Sequence, residues 1–271
     1  MEMKLGFIGC GVMANAMMGG IIKNGLLKPE EIWGADPFEG SRQKTKEQNG
    51  IHVTESNLEV IENCDVVFLT IKPQYYADAI ASFRDHVRAE QMFISIGAGR
   101  TLDYIAEQFE NKPVKVVRVM PNTPAQVAEG MSAACPNQYV TEEETQTALT
   151  ILRAFGKAEL MPESLFDVVT GVSGSGPAYV CMFIEAMADA AVLGGMQRSQ
   201  AYTFAEQTVL GTAKMLMETG LHPGVLKDMV SSPAGTTIAA VRKLEEEGLR
   251  RAVIEGVNAC TEKSIQMQSA K

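Results

Sequence analysis

Three small residues near the start of the chain stand at a spacing that suits anion binding. In KLGFIGCGVMANAM, Gly9, Gly11 and Ala14 form G-x-G-x-x-A directly after an apolar run and into the start of a helical one. Gly9 allows a tight turn, Gly11 lets backbone amides approach a pyrophosphate, and Ala14 permits close helix-to-strand packing, with the anion held at the positive helix end. The chemistry implied is the holding of a dinucleotide. The same pattern also serves as a ligand-free strand-to-helix turn. Asp36 follows the second apolar run. A carboxylate there accepts hydrogen bonds from an adenosine ribose and repels a 2′-phosphate, which leans towards NADH over NADPH. Arg42 lies within reach of a 2′-phosphate, and Asp36 also reads as a simple turn aspartate before Pro37.

Two further turns carry polar or flexible residues, FLTIKPQ at 68–74 and ISIGAGRT at 94–101. In open α/β sheets the ligand lies beyond the carboxyl ends of the strands, so Lys72, Pro73, Gly97 and Ala98 are expected to line one crevice. A third turn, MPNTP at 120–124, has the same character.

Reduction by a nicotinamide usually needs a group that protonates or polarises the acceptor. The second half of the chain lacks an obvious one: no lysine stands between Lys157 and Lys214, and its one histidine, His222, sits in an HPG turn. It offers instead VSGSGPAY at 172–179 and SSPAGTT at 231–237, which combine hydroxyls and glycines at the entrance to apolar helices. Free N–H groups and the helix dipole favour an anion there. Such a pocket suits a compact carboxylate that brings its own activation, as a protonated cyclic imine does. Both motifs also read as ordinary helix caps.

The elements that must position these residues fall into two groups. Up to about residue 160, short β-type runs (4–8, 32–35, 66–71, 93–96 and 114–119) alternate with helical ones, the pattern of a parallel sheet wrapped by helices. Asn24-Gly25 ends the first helix, and Ser56/Glu59 and Thr141/Glu144 have capping-box spacing. From Gly176 onwards only helix-forming stretches appear. The fold expected is an α/β Rossmann-type dinucleotide-binding domain over 1–162 followed by an all-α substrate-binding and dimerisation domain over 163–271. AYVCMFIEAMADAAVLGG offers more apolar surface than a small bundle covers, and a homodimer interface is the expected remedy.

Composition narrows the class. The 271 residues carry a formal charge of −9 with no Lys/Arg run, which argues against a nucleic-acid surface. Glu185 and Asp189 interrupt the longest apolar stretch, so no membrane span is expected. Charged Glu2 and Lys4 lead directly into LGFIG without an apolar leader, and five scattered cysteines fit a reducing compartment. The expectation is a cytoplasmic protein, without metal given only His52, His86 and His222.

GFIGCGVM, IKPQ, MPNTPA, GVSGSGPAYV, ADAAVLGG, HPGVLKDMVSSPAGTTIAAV and EGVNACTEKS together resemble the pyrroline-5-carboxylate reductase family from end to end. The HPG-to-GTT block is the most specific of these. The resemblance implies reduction of 1-pyrroline-5-carboxylate to L-proline with NADPH or NADH. By position, it implies cofactor contacts from Ile8, Gly9, Cys10, Gly11, Val12 and Met13, from Asp36 and Asn57, from Thr70, Ile71, Lys72 and Pro73, and from Ile96, Gly97 and Ala98. It implies that Thr237 bonds the ring nitrogen as the catalytic contact, that the amides of Gly235, Thr236 and Thr237 cradle the carboxylate, and that Ser232 supports this loop. Some members carry a serine in place of Asp36, and some a substrate-contacting glutamate in place of Gly220. Cys10, at a helix N-terminus where a thiol pKa can fall, is assigned to packing, because hydride transfer uses no thiolate. The family's dimers, often assembled into decamers, imply a homo-oligomer here.

Overall fold

The computed structural model describes residues 3–269; Glu2 and the domain limits 1 and 271 lie outside the described residues. In chain order the first part holds β1 (Leu5–Ile8), α1 (Val12–Lys23), β2 (Ile32–Ala35), α2 (Glu39–Asn49), β3 (His52–Thr54), α3 (Asn57–Asn63), β4 (Val66–Leu69), α4 (Tyr76–Ala81), β5 (Met92–Ser95), α5 (Leu102–Gln108), β6 (Lys115–Met120), β7 (Gly130–Pro136), α6 (Glu142–Arg153) and β8 (Gly156–Leu160). There follow α7 (Phe166–Val169), a single π-turn (Thr170–Gly174), α8 (Gly176–Leu193), α9 (Arg198–Thr219), α10 (Pro223–Met229), α11 (Thr236–Glu246) and α12 (Leu249–Ser269).

One eight-stranded sheet runs β3-β2-β1-β4-β5-β6-β7-β8. Its first six strands are parallel and in the dinucleotide-binding order 3-2-1-4-5-6. β7 returns antiparallel to β6, and β8 lies parallel to β7. β1, β4 and β5 are buried at every position and apolar but for Ser95, as strands covered on both faces require. Alternation sends Phe7, Phe68 and Ile94 to the face packed by α1 and α6, and Ile8, Val67 and Phe93 to the face packed by α3, α4 and α5. Phe7 and Phe68 stack with ring centroids 4.7 Å apart.

Three strands fall where none is expected from the sequence. β3 is three residues long and begins exposed at His52. β8 reads GKAEL, with only Ala158 buried, and β7 is rich in small residues. All three depend on a neighbouring strand for their backbone partners rather than on an apolar run of their own. The Thr141/Glu144 box forms in full. The Ser56/Glu59 box forms by half: Ser56 accepts from the Glu59 N–H, but the Glu59 carboxylate takes the Thr54 hydroxyl at 2.5 Å instead.

The chain divides into two compact units, one reaching Gly174 and resuming at Cys260, the other spanning Ser175–Ala259. The second is entirely helical. Within it the buried apolar residues are Ala188, Ala201, Ala205 and Leu226, while Met182, Phe204 and Leu193 are 68%, 65% and 91% exposed.

Candidate active site

Register assembles the first group of functional residues. Ile8 pairs with Ala35 and Leu69, and Leu69 with Ser95, so four strand ends stand abreast, with Arg118 inside β6 paired to Ser95 beside them. Gly9, Asp36, Thr70 and Ile96 are each the next residue along. They emerge together on the carboxyl edge of the sheet, where β1 and β4 diverge to opposite sides, the place such sheets bind ligands.

The loop Gly9–Gly11 is held from several directions. The Cys10 N–H donates to Asp36 Oδ2 at 2.9 Å, and the Phe38 N–H donates to Oδ1 at 2.9 Å. The Asn15 amide donates to the Cys10 and Gly11 carbonyls. Asp36 is thus buried, at 8% exposure, and organises the loop as well as standing where a ribose is expected. Arg42 donates to the carbonyls of Asp36 and Pro37 at 2.8 and 3.0 Å. The Cys10 thiol is buried, and burial followed by the Asp36 charge pushes its pKa up to about 12, so the helix end does not activate it.

Gly11 tests the fit of a dinucleotide. It begins α1 with φ −75°, a value any residue adopts, and a Cβ there would meet nothing within 4 Å. No neighbour within the chain forbids a side chain, whereas a pyrophosphate over the loop would. A cleft of about 470 Å³ opens beside it, bounded by Gly11, Val12, Asn15, Ser41 and Lys44. Its walls do not include residues 70–73 or 96–98. Spacing alone did not single out Asn15, Ser41 or Lys44, which come to the loop only through α1 and α2 packing.

The other strand ends are equally built. The Thr70 hydroxyl points to the carbonyls of Ile8 and Gly9 at 2.9 and 2.7 Å, clasping β4 to β1. Ile71 flanks Gly9, Lys72 is exposed, and Pro73 opens a short 3₁₀ turn. Tyr76, fully buried and with its pKa raised to about 12 by that burial, donates to the Leu69 carbonyl and packs under Gly97, where a Cβ would lie 2.6 Å from its oxygen. Ala98 is exposed beyond it. Asn57 opens α3 and donates to Ser82 at 3.2 Å.

The second group lies in the helical unit. Gly235 is the N-cap of α11 and supplies no side-chain cap. Its own N–H donates to the Ser232 carbonyl at 3.0 Å, and a Cβ at Gly235 would meet Ser232 Oγ at 2.2 Å. Ser232 therefore shapes the turn, Ala234 bends it with φ 58°, and the amides of Thr236 and Thr237, in the first turn of α11, have no acceptor among the described residues. This differs from a cradle of three amides, because the Gly235 donor is engaged within the turn.

An α/β unit with an open glycine loop at the carboxyl edge of its parallel sheet, followed in the chain by a helical unit, is the arrangement of a dinucleotide-dependent oxidoreductase. A family model for pyrroline-5-carboxylate reductase dimerisation matches residues 163–267, and one for NADP oxidoreductase, coenzyme F420-dependent, matches residues 4–99. The chain is 49% identical to the pyrroline-5-carboxylate reductase of Escherichia coli over 100% of both chains. It superposes on a solved pyrroline-5-carboxylate reductase from Coxiella burnetii with TM-score 0.93 at 32% identity, covering 98% of each chain. A Plasmodium falciparum pyrroline carboxylate reductase solved with NADP bound gives 0.87 at 30% identity, again over 98% of each. The chain belongs to the pyrroline-5-carboxylate reductase family.

Proposed function

We infer that this chain reduces 1-pyrroline-5-carboxylate to L-proline, the last step of proline biosynthesis, with NADPH or NADH. The observation that carries the reading is the uncapped start of α11, where the Thr236 and Thr237 amides and the Thr237 hydroxyl form a neutral donor set suited to a small carboxylate. A bound NAD(P)H supplies the hydride. The chain's own residues orient: Ile8–Met13, Asp36, Asn57, Thr70–Pro73 and Ile96–Ala98 hold the dinucleotide, and Thr237 holds the ring nitrogen. The imine reaches the site already protonated from solution, so no residue delivers a proton, in keeping with a stretch of 56 residues (158–213) free of lysine.

Asp36 favours NADH, because a second negative charge beside a buried carboxylate is repelled. The domain limits proposed, 1–162 and 163–271, follow the family's dimerisation region rather than the compact units, which divide at Gly174 and Cys260; the assembly proposed is a homodimer extending to a decamer, and the location cytoplasmic. The stretch Glu163–Leu193 is long and apolar enough to cross a membrane by length and composition, the carboxylates of Glu163, Asp167, Glu185 and Asp189 notwithstanding. Its place in the family's dimerisation region supports a subunit interface instead.

Assaying NADH and NADPH oxidation with pyrroline-5-carboxylate tests both the activity and the preference. Thr237→Ala is expected to lower turnover by roughly 1 to 3 kcal/mol of barrier, about 5- to 150-fold, with dinucleotide binding retained. Undiminished turnover removes Thr237 from the role.

A further inference from the structure

The MPNTP turn takes no part in the reading above, yet it fastens two elements together. Asn122 stands two residues beyond β6, on the sheet edge that carries Gly9, Asp36, Thr70 and Ile96. It is half-buried. Its Oδ1 accepts from the Met131 N–H in β7 at 2.8 Å, and its Nδ2 donates to the Ser173 carbonyl at 3.1 Å. Ser173 belongs to the π-turn Thr170–Gly174, the last turn before the GSGPAY stretch that opens α8.

Wide i→i+5 turns are rare and persist where something outside them supports them. Here the support comes from β6 at both ends of the segment 163–174. At its start, Arg118 Nη1 meets Glu163 Oε1 at 2.8 Å, and the same oxygen accepts from the Leu102 N–H at 2.7 Å. At its end, Asn122 holds Ser173, and a Cβ on Gly174 would lie 2.8 Å from Met120 Cε. A neutral amide suits position 122 because it must donate to one carbonyl and accept from one N–H. A carboxylate does only the second, and a hydroxyl is too short to span both.

We propose that Asn122 is a positioning residue which, by bonding Met131 and Ser173 at once, sets the π-turn from which the substrate helices depart. This rests on the proposed reductase activity, in which the strand edge holds the dinucleotide and the segment after Gly174 leads to the imine pocket.

The test uses the intact chain and two variants of Asn122 beside a matched control. Asn122→Asp keeps the acceptor for Met131 and sets a carboxylate against the Ser173 carbonyl; Asn122→Ala removes both bonds. Asn137 makes the equivalent staple at the opposite end of β6, donating to the Val114 carbonyl at 2.9 Å and accepting from the Val116 N–H at 3.2 Å, so Asn137→Ala is the control. Asn122→Asp is expected to lower kcat about 10- to 100-fold with dinucleotide Kd, read by fluorescence titration, within about twofold of the parent. Hydrogen exchange is expected to quicken in the peptide covering 170–174. Asn137→Ala is expected to melt earlier with kcat unchanged. Parental exchange at 170–174 in Asn122→Asp overturns the proposal whatever the activity, and so does a control that loses kcat as much as Asn122→Ala at matched melting temperature. An intact parent chain that fails to reduce the imine defeats the reductase reading instead, and the exchange measurement still decides the role of Asn122.

Discussion

Gly9 and Gly11 lie two residues apart and are glycine for different reasons. Gly9 has φ 99°, and a Cβ there would approach Ile71 Cγ2 at 2.8 Å and the Thr70 carbonyl at 3.0 Å. Its need is met inside the fold. Gly11 has ordinary backbone angles and open space, so its need lies with a ligand. Gly9→Ala is therefore expected to destabilise the protein by about 2 kcal/mol or more, through strain and clash together. Gly11→Ala is expected to melt like the parent while weakening NADH and NADPH binding by about tenfold or more, since a methyl displaces the pyrophosphate from the loop amides. Thermal melts and fluorescence titrations of the two variants separate these outcomes. If Gly11→Ala binds dinucleotide as the parent does, the loop is not a phosphate cradle.

At the scale of an element, α6 shows how a signal written in four residues becomes pH-dependent stability. Thr141 caps the helix from one side and Glu144 from the other, and Lys115 on β6 approaches Glu144 Oε1 at 2.5 Å. Burial alone raises the Glu144 pKa, but the Lys115 ammonium and the Thr141 N–H and hydroxyl outweigh it and hold the carboxyl below its ordinary 4.5. A folded value below the unfolded one means the stabilisation is present in full above the unfolded pKa and is lost as pH falls through the folded one. Urea unfolding measured between neutral pH and pH 3 is expected to show an acid limb that is shallower in Glu144→Gln; an identical limb removes this pair from the account. The Ser56 box shows the limit of the same signal. Its spacing is equally good, but Thr54, brought to Glu59 by the β3 turn, takes the carboxylate that would have closed it.

For the whole molecule, the decisive feature is a helical unit whose buried apolar residues are three alanines and one leucine. α8, α9, α11 and α12 present Phe183, Phe204, Leu210, Ile238 and Ile254 to the outside. Folding of such a unit is not supported by burial within one chain, at about 25 cal/mol for each Å² of apolar surface removed from water. Sedimentation in detergent-free buffer at micromolar concentration is expected to give a dimer or a larger closed assembly, with dilution and loss of helicity coupled. A stable, fully helical monomer defeats the interface reading, and a requirement for detergent points to a bilayer around Glu163–Leu193 instead.

Local patterns by themselves determined the dinucleotide turn, the five apolar strands, the helical character of the second half and the blocks that mark the family, because each depends on neighbours a few residues apart in the chain. The edge strands β3, β7 and β8 were not legible, since a strand that borrows its partners needs no apolar run of its own. Nor were the double duty of Asp36, the turning-in of the Gly235 amide, or the clasp of Asn122 on Ser173, 51 residues away. Those were decided only when the sheet register and helix packing brought distant polar groups within hydrogen-bond range, where a buried donor must find an acceptor and the fold chooses which.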